Sequence, residues 1–477
     1  PTNGIYSAGT AARVNSSNVI SNNNIFNFFN TAGNSCGISL TANTSDWTIE
    51  DNNFYQEAVR TTTTASTFHY VININNTSNA NTIIRGNYIG GSASDGSGVM
   101  NYTAAVANQF APIYLNTNAT VATPTIVENN TIANISFTTV SAATSGIGPF
   151  TAIYQLAGAS RILGNTIGSS SLNNTIIVTV NTNSNGVVNA IRYDGTSTSK
   201  IENNTIGGIT VNGTGTNNGT NFYAINVAVG NVAVKNNLIG SPSTTNSIQI
   251  NGTATTNASV LGAINLVSTA AYSDSVLTNS IYHLTNFNGG TATRIFGISA
   301  TSGAQYIINT NTIRNLSLTN STNIGTASTP AVLGIALSTA NTQPLTLSGN
   351  VIHSLSNTGS GSSAFTTGIY YSGGTNAANL IEKNFIHSLS PSTGAAASVI
   401  GIQLAGGTTT NVRNNMIRLG IASNGASITQ SHNINGILQT SNTVHNIYFN
   451  SIYIGGSGVS GALNTFAYQR NQASHTI

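Results

Sequence analysis

Apolar residues in this chain come in short bursts between asparagine, threonine, serine and glycine, and the bursts repeat. The clearest copy is Ile201-Glu202-Asn203-Asn204-Thr205-Ile206: an aliphatic residue, two variable positions, an asparagine, one variable position and a second aliphatic residue. The same spacing centres on Asn23, Asn52, Asn87, Asn130, Asn165, Asn204, Asn237, Asn279, Asn311, Asn350, Asn384, Asn415 and Asn450. Twelve intervals cover the 427 residues from Asn23 to Asn450, a mean period of about 35, which signals a solenoid or propeller. A second burst precedes each asparagine: a small residue, Ile, one variable position and often another apolar residue, as in Gly37-Ile38-Ser39-Leu40, Ala190-Ile191 and Gly334-Ile335-Ala336-Leu337. Its period-two alternation predicts a short strand with one buried face.

Each unit therefore parses as strand A (the Gly-Ile type), strand B ending at the asparagine, strand C beginning at the following aliphatic residue, and a return loop. No stretch holds a 3.6-residue apolar period for three turns, so no helix is expected. The asparagine is expected to make the B-to-C bend, because Asn tolerates the left-handed backbone region better than other non-glycine residues. Stacked at ~4.8 Å, successive asparagines would also bond amide to amide. The return loops at Gly90 to Pro112, Gly207 to Ala224 and Gly240 to Ala263 are the longest, and insertions at one corner of a repeat are where recognition is usually carried.

The fold expected is all-β, a right-handed parallel β-helix of about thirteen rungs, with residues 1–477 one continuous domain. Gly4-Ile5 is already a strand A; Phe466-Ala467-Tyr468 reads as another, and a strand B would begin at Thr476-Ile477. Neither end carries a polar cap, so the chain is expected to be an internal segment of a longer polypeptide.

The aliphatic-x-x-Asn-x-Ile turn, the Gly-Ile-x-Leu strand and the period resemble right-handed parallel β-helix repeats. More narrowly, charge-poor copies such as Asn203-Asn204-Thr205-Ile206-Gly207-Gly208 and Asn415-Met416-Ile417 resemble those of giant Bacteroidetes cell-surface proteins exported by the type IX route. That resemblance implies secretion, display at the cell surface and an adhesive or filament-forming role. The partners it implies are other segments of the same long chain, further copies in a homo-oligomeric filament, and a glycan or cell-surface target.

Composition narrows the chemistry. Charged residues make up 5% of the chain, and 13 Lys and Arg scattered over 477 residues form no patch able to neutralise several phosphates, so nucleic acid is not expected as a partner. No run of about 18 apolar residues predicts a membrane-inserted helix. Cys36 is the single cysteine, expected as a small buried residue beside Ile38. The ten acids lie about one per unit, without the paired carboxylates of a glycosidase or a calcium cluster, so no enzyme and no cofactor is expected. A polysaccharide-binding or polysaccharide-degrading module of the pectate lyase type is the alternative. An ice-binding face would need the same Thr-x-Thr on successive rungs, and the runs Thr61–Thr64 and Thr408–Thr410 are isolated, so ice binding is not expected.

Two columns stand out. Glu50, Glu128, Glu202 and Glu382 follow the strand B aliphatic residue, where neighbouring units carry Arg85, Lys235 and Arg413, so stacking in register predicts alternating charge on an outer wall. The residue after the strand C aliphatic is small at Gly168, Gly207 and Gly240 but becomes Tyr282, Arg314, His353, His387, Arg418 and Tyr453 in successive later units. Those six form the candidate ligand column, suited to a glycan or an anionic polymer. No metal site is expected there, because the histidines lack a carboxylate partner.

Overall fold

The computed structural model describes residues 2–471 apart from 79–80, 218, 257–258, 270 and 460–462. The protein is an all-β parallel solenoid of about 13 turns spaced about 35 residues apart, with no helix among the described residues. The strand B expected at Thr476-Ile477 lies outside the described residues. The chain divides into two compact units, Pro1–Gly252 and Thr253–Ile477.

In the first unit, parallel pairing stacks Ile5, Ile38, Ile72, Ile113, Ile153, Ile191 and Ile225 in sheet A. Sheet B stacks Ile20, Ile49, Ile84, Val127, Ile162, Ile201 and Val234. Sheet C stacks Ile25, Phe54, Ile89, Ile132, Ile167, Ile206 and Ile239. In the second unit the sheet A column runs from Ile264 through Ile298, Ile335, Ile369, Ile402 and Ile437 to Tyr468. Its sheet B column is Val276, Ile308, Leu347, Ile381, Val412 and Ile447, and its sheet C column Ile281, Ile313, Ile352, Ile386, Ile417 and Ile452. Apart from Ile5, Ile447, Ile452 and Tyr468 these side chains are buried, each contributing about 2 kcal/mol of hydrophobic free energy.

Where glycine precedes a sheet A isoleucine in the second unit, this core sets it. A Cβ on Gly334 would sit 2.5 Å from the carbonyl oxygen of Gly368 in the next turn and 2.6 Å from Ile352 Cγ2 of its own turn. The sheet C isoleucine thus reaches across the interior onto a position where even a methyl would collide, whereas the equivalent positions of the first unit admit Ala152, Ala190 and Ala224, and also Val71.

One expectation is corrected. In the first unit, the stretches read as return loops contain a further strand: Met100–Ala104, Ile209–Gly213 and Ile248–Gly252, with Ile135–Thr139 and Ile176–Val180 in the turns between. These strands pair with one another in register as a second row of sheet C. Their alternation, as in Ile176-Ile177-Val178-Thr179-Val180, buries every second side chain. In the second unit the same row is continuous with strand C, as in Ser280–Asn286 and Val351–Asn357. The insertions therefore split a strand and do not simply follow it.

Candidate functional site

The asparagines form the expected ladder. Asn165 donates from Nδ2 to Asn204 Oδ1 at 3.0 Å and from its backbone N–H to the same oxygen at 2.9 Å. Asn204 in turn donates to Asn237 Oδ1 at 3.0 Å, sharing its two Nδ2 protons with the carbonyls of Ile162 and Glu202 at 2.9 and 3.1 Å. Amide-to-amide bonds of 2.9–3.0 Å link Asn23 to Asn237 without interruption in the first unit, and Asn279 to Asn450 in the second. From Asn52 to Asn415 the ladder is buried.

The bend belongs to a different residue. The left-handed position is the one before each ladder asparagine: Asn22, Asp51, Gly86, Asn129, Gly164, Asn203 and Asn236, then Thr278, Thr310, Gly349, Lys383, Asn414 and Phe449. The ladder asparagine lies between this bend and the first residue of strand C, and its side chain turns inward to bond strand B carbonyls of the preceding turn.

On the outer wall of sheet B, register places Glu50, Arg85 and Glu128 on successive turns, Glu202 beside Lys235 and Glu382 beside Arg413. Arg85 Nη2 lies 2.6 Å from Glu50 Oε2, and Arg413 Nε 2.8 Å from Glu382 Oε2. Among the described residues no ion pair within 4.0 Å joins Glu202 to Lys235, nor Arg85 to Glu128: the register alternates as expected, and two of the contacts close. Arg85 holds its proton more tightly than usual, first through the hydrogen bond it donates to Glu50 and then through the charges of Glu50 and Glu128.

The ligand column comes together in the second unit, where Tyr282, Arg314, His353, His387, Arg418 and Tyr453 pair turn by turn. The Arg314 guanidinium carbon sits 4.5 Å from the Tyr282 ring centroid. His353 and His387 stack with centroids 4.6 Å apart and 6° between planes, and Phe385 lies 4.5 Å from His387. Each histidine bonds the next serine through Nδ1, His353 to Ser354 Oγ and His387 to Ser388 Oγ, both at 2.9 Å. Arg418 Nη2 donates to the same Ser388 Oγ at 3.0 Å, while its Nε is buried without a partner. Burial, then the charge of Arg314, lowers the pKa of His353; burial, then His353 and Arg418, holds His387 down at about 4.

Three features escape the sequence reading. Threonines one turn apart build columns, Thr131, Thr166 and Thr205 in one and Thr61, Thr103, Thr138 and Thr179 in another, so separation in sequence conceals the array. On the outside of sheet A, Tyr70, Tyr114 and Tyr154 pack ring against ring at 5.0 and 5.7 Å, tilted and edge-on, and Tyr154 donates to Asp194 Oδ2, which also holds Arg192. Aligning the residue after each sheet A isoleucine would have shown Tyr114, Tyr154 and Arg192 in one column. His69 is fully buried, bonded to Ser35 Oγ at 2.6 Å through Nδ1 and to Thr67 Oγ1 at 3.1 Å and Tyr102 through Nε2; burial lowers its pKa to about 3. Cys36 is buried as expected, its thiol pushed up to about 11 by that burial.

Among the described residues no group of three His, Cys, Asp or Glu side chains is placed to hold a metal ion. Comparison with family models, curated proteins and solved structures finds no match.

Proposed function

We propose that the chain is a structural segment of a large secreted surface adhesin or extracellular filament of the Bacteroidetes type IX kind, presenting binding regions located elsewhere in a longer polypeptide. The observation that carries this reading is the consumption of the repeat motif by stacking. In Ile201-Glu202-Asn203-Asn204-Thr205-Ile206, the two isoleucines fill core columns, Asn203 makes the bend and Asn204 closes the ladder. A module whose repeating residues bond only the turns above and below extends by adding turns, with no change of chemistry. Four of the ten carboxylates are also engaged within the protein: Glu50 with Arg85, Glu382 with Arg413, Asp194 with Arg192 and Asp274 with Ser268 Oγ.

The competing reading, an enzyme on a polysaccharide, is separated from this one by product analysis. Incubation of the purified chain with a panel of acidic and neutral polysaccharides is expected to release no new reducing or unsaturated ends; their appearance would overturn the structural assignment. Antibody against the chain should label intact, unpermeabilised cells of the source organism, and labelling confined to permeabilised cells would refute surface display.

A further inference from the structure

The outer face of sheet C in the second unit carries three parallel columns. Nearest the asparagine bend lie Thr312, Val351, Phe385 and Met416. The middle column is Tyr282, Arg314, His353, His387, Arg418 and Tyr453. Beyond it lie the hydroxyls of Ser317, Ser356 and Ser390. None of these positions is acidic, so the face combines ring and apolar surface, fixed positive charge and hydroxyl hydrogen-bonding groups.

We propose that this face binds a linear acidic polysaccharide running along the column, with carboxylate or sulfate groups held by Arg314, Arg418 and the His353–His387 pair, and sugar rings against Tyr282, Phe385 and Tyr453. Two independent observations favour a bound anion. The Arg418 guanidinium is fixed on the column by its Nη2 bond to Ser388 Oγ and stays partly exposed, so its charge is presented on the open face to an oxyanion. Because Nδ1 of both histidines is tied to serine, their Nε2 atoms are left without a protein partner on adjacent turns. Rungs repeat at ~4.8 Å, close to the length of one sugar ring in an extended chain, so charges borne once per sugar meet the column in step.

The histidines make binding pH-dependent. An anion favours the imidazolium, whereas the free protein holds both rings neutral at pH 7, so affinity rises as pH falls from 7 towards the free value of about 4 for His387. The groups acting on them are Arg314 and Arg418 from the column. Glu382, Lys383 and Arg413 belong to sheet B and its bend. Sheet A lines the inner side, with Arg294, Tyr370 and Tyr371 on its strands.

The test is calorimetric titration of the whole chain at low salt with size-fractionated polygalacturonate and a sulfated glycosaminoglycan, against neutral dextran, polyglutamate and single-stranded DNA. Binding is expected for at least one acidic polysaccharide, tightening between pH 7 and 5, and weakened about tenfold by Arg314→Gln or Arg418→Gln. Arg413→Gln, on the other wall, should leave it unchanged, and far-ultraviolet circular dichroism confirms that each variant is folded. Should Arg418→Gln fail to fold, His387→Gln serves in its place and should clearly reduce the tightening at pH 5, leaving the part due to His353. Absence of binding to every acidic polysaccharide, equal binding of dextran, or equal binding of polyglutamate or DNA would each overturn the proposal.

Discussion

Thr278, Thr310, Lys383 and Phe449 hold the left-handed bend with side chains that resist it, where nine other turns use Asn, Asp or Gly. Thr310 is exposed, β-branched and at φ 55, so the strain has no compensating burial. Thr310→Asn should raise stability by about 1 kcal/mol in urea denaturation, with no change in the slope of the transition. The neighbouring ladder residue behaves oppositely. Asn204→Ala removes the acceptor of two Asn165 donors and the donor to Ile162 and Glu202, in a site 1% exposed. It should cost about 3 kcal/mol, and Asn23→Ala, at the exposed start of the ladder, clearly less; equal costs would show that burial of the amides is not what matters. The spacing of these asparagines is legible in sequence, but the division of labour is not. In Asn203-Asn204, Asn129-Asn130 and Asn236-Asn237 both positions hold the same residue, and only turns such as Gly86-Asn87 and Gly164-Asn165 separate bend from ladder.

At the scale of the strand, the sheet A glycines of the second unit give the sharpest prediction. Cβ atoms on Gly297, Gly334, Gly368 and Gly401 would lie 2.5–2.7 Å from the next turn's carbonyl oxygen and 2.6–2.8 Å from a sheet C isoleucine. Gly334→Val should therefore cost about 3 kcal/mol by overpacking, measured as a fall in the denaturation midpoint, while Ala152→Gly in the first unit should cost about 1 kcal/mol. On the outer wall, Arg85→Glu should lower the melting temperature by setting three carboxylates in a row, and Glu50→Arg combined with Arg85→Glu should recover part of it, because Glu128 still faces the new carboxylate. An unchanged melting temperature in the single variant would mean that register owes nothing to these charges. Pairing of A, B and C strands is readable from sequence because side-chain alternation and the fixed asparagine offset leave one register that keeps the flanking aliphatic columns inside. The second row of sheet C is obscured by the glycine-rich insertions that cut it from strand C. The ligand column, continuous in register, is legible as a list of residues, but the serine bonds and the stacked ring pair that orient it are not.

For the molecule as a whole, the response to acid should be set by histidines. Burial is the first cause that lowers the pKa of His69 in the first unit and of His353, His387, His432 and His445 in the second. A histidine kept neutral in the fold but free to protonate near pH 6.5 in the unfolded chain contributes stability that is complete above about pH 6.5 and is lost as pH falls towards its folded value. For His69, with a folded value of about 3 and no exposure, the loss is on the order of 4 kcal/mol across that range. His387 and His445, each held at about 4, add losses of the same sign in the second unit and are moderated by solvent. With few ion pairs to screen, added salt should move the transition little. Hydrogen exchange followed by mass spectrometry at pH 7 and pH 4.5, corrected for intrinsic rates, is therefore expected to show protection falling in both units. His69→Gln should flatten the dependence in the first unit alone. Protection that stays level to pH 4.5 and collapses only in the carboxylate range would show that the acids, not the buried histidines, govern stability.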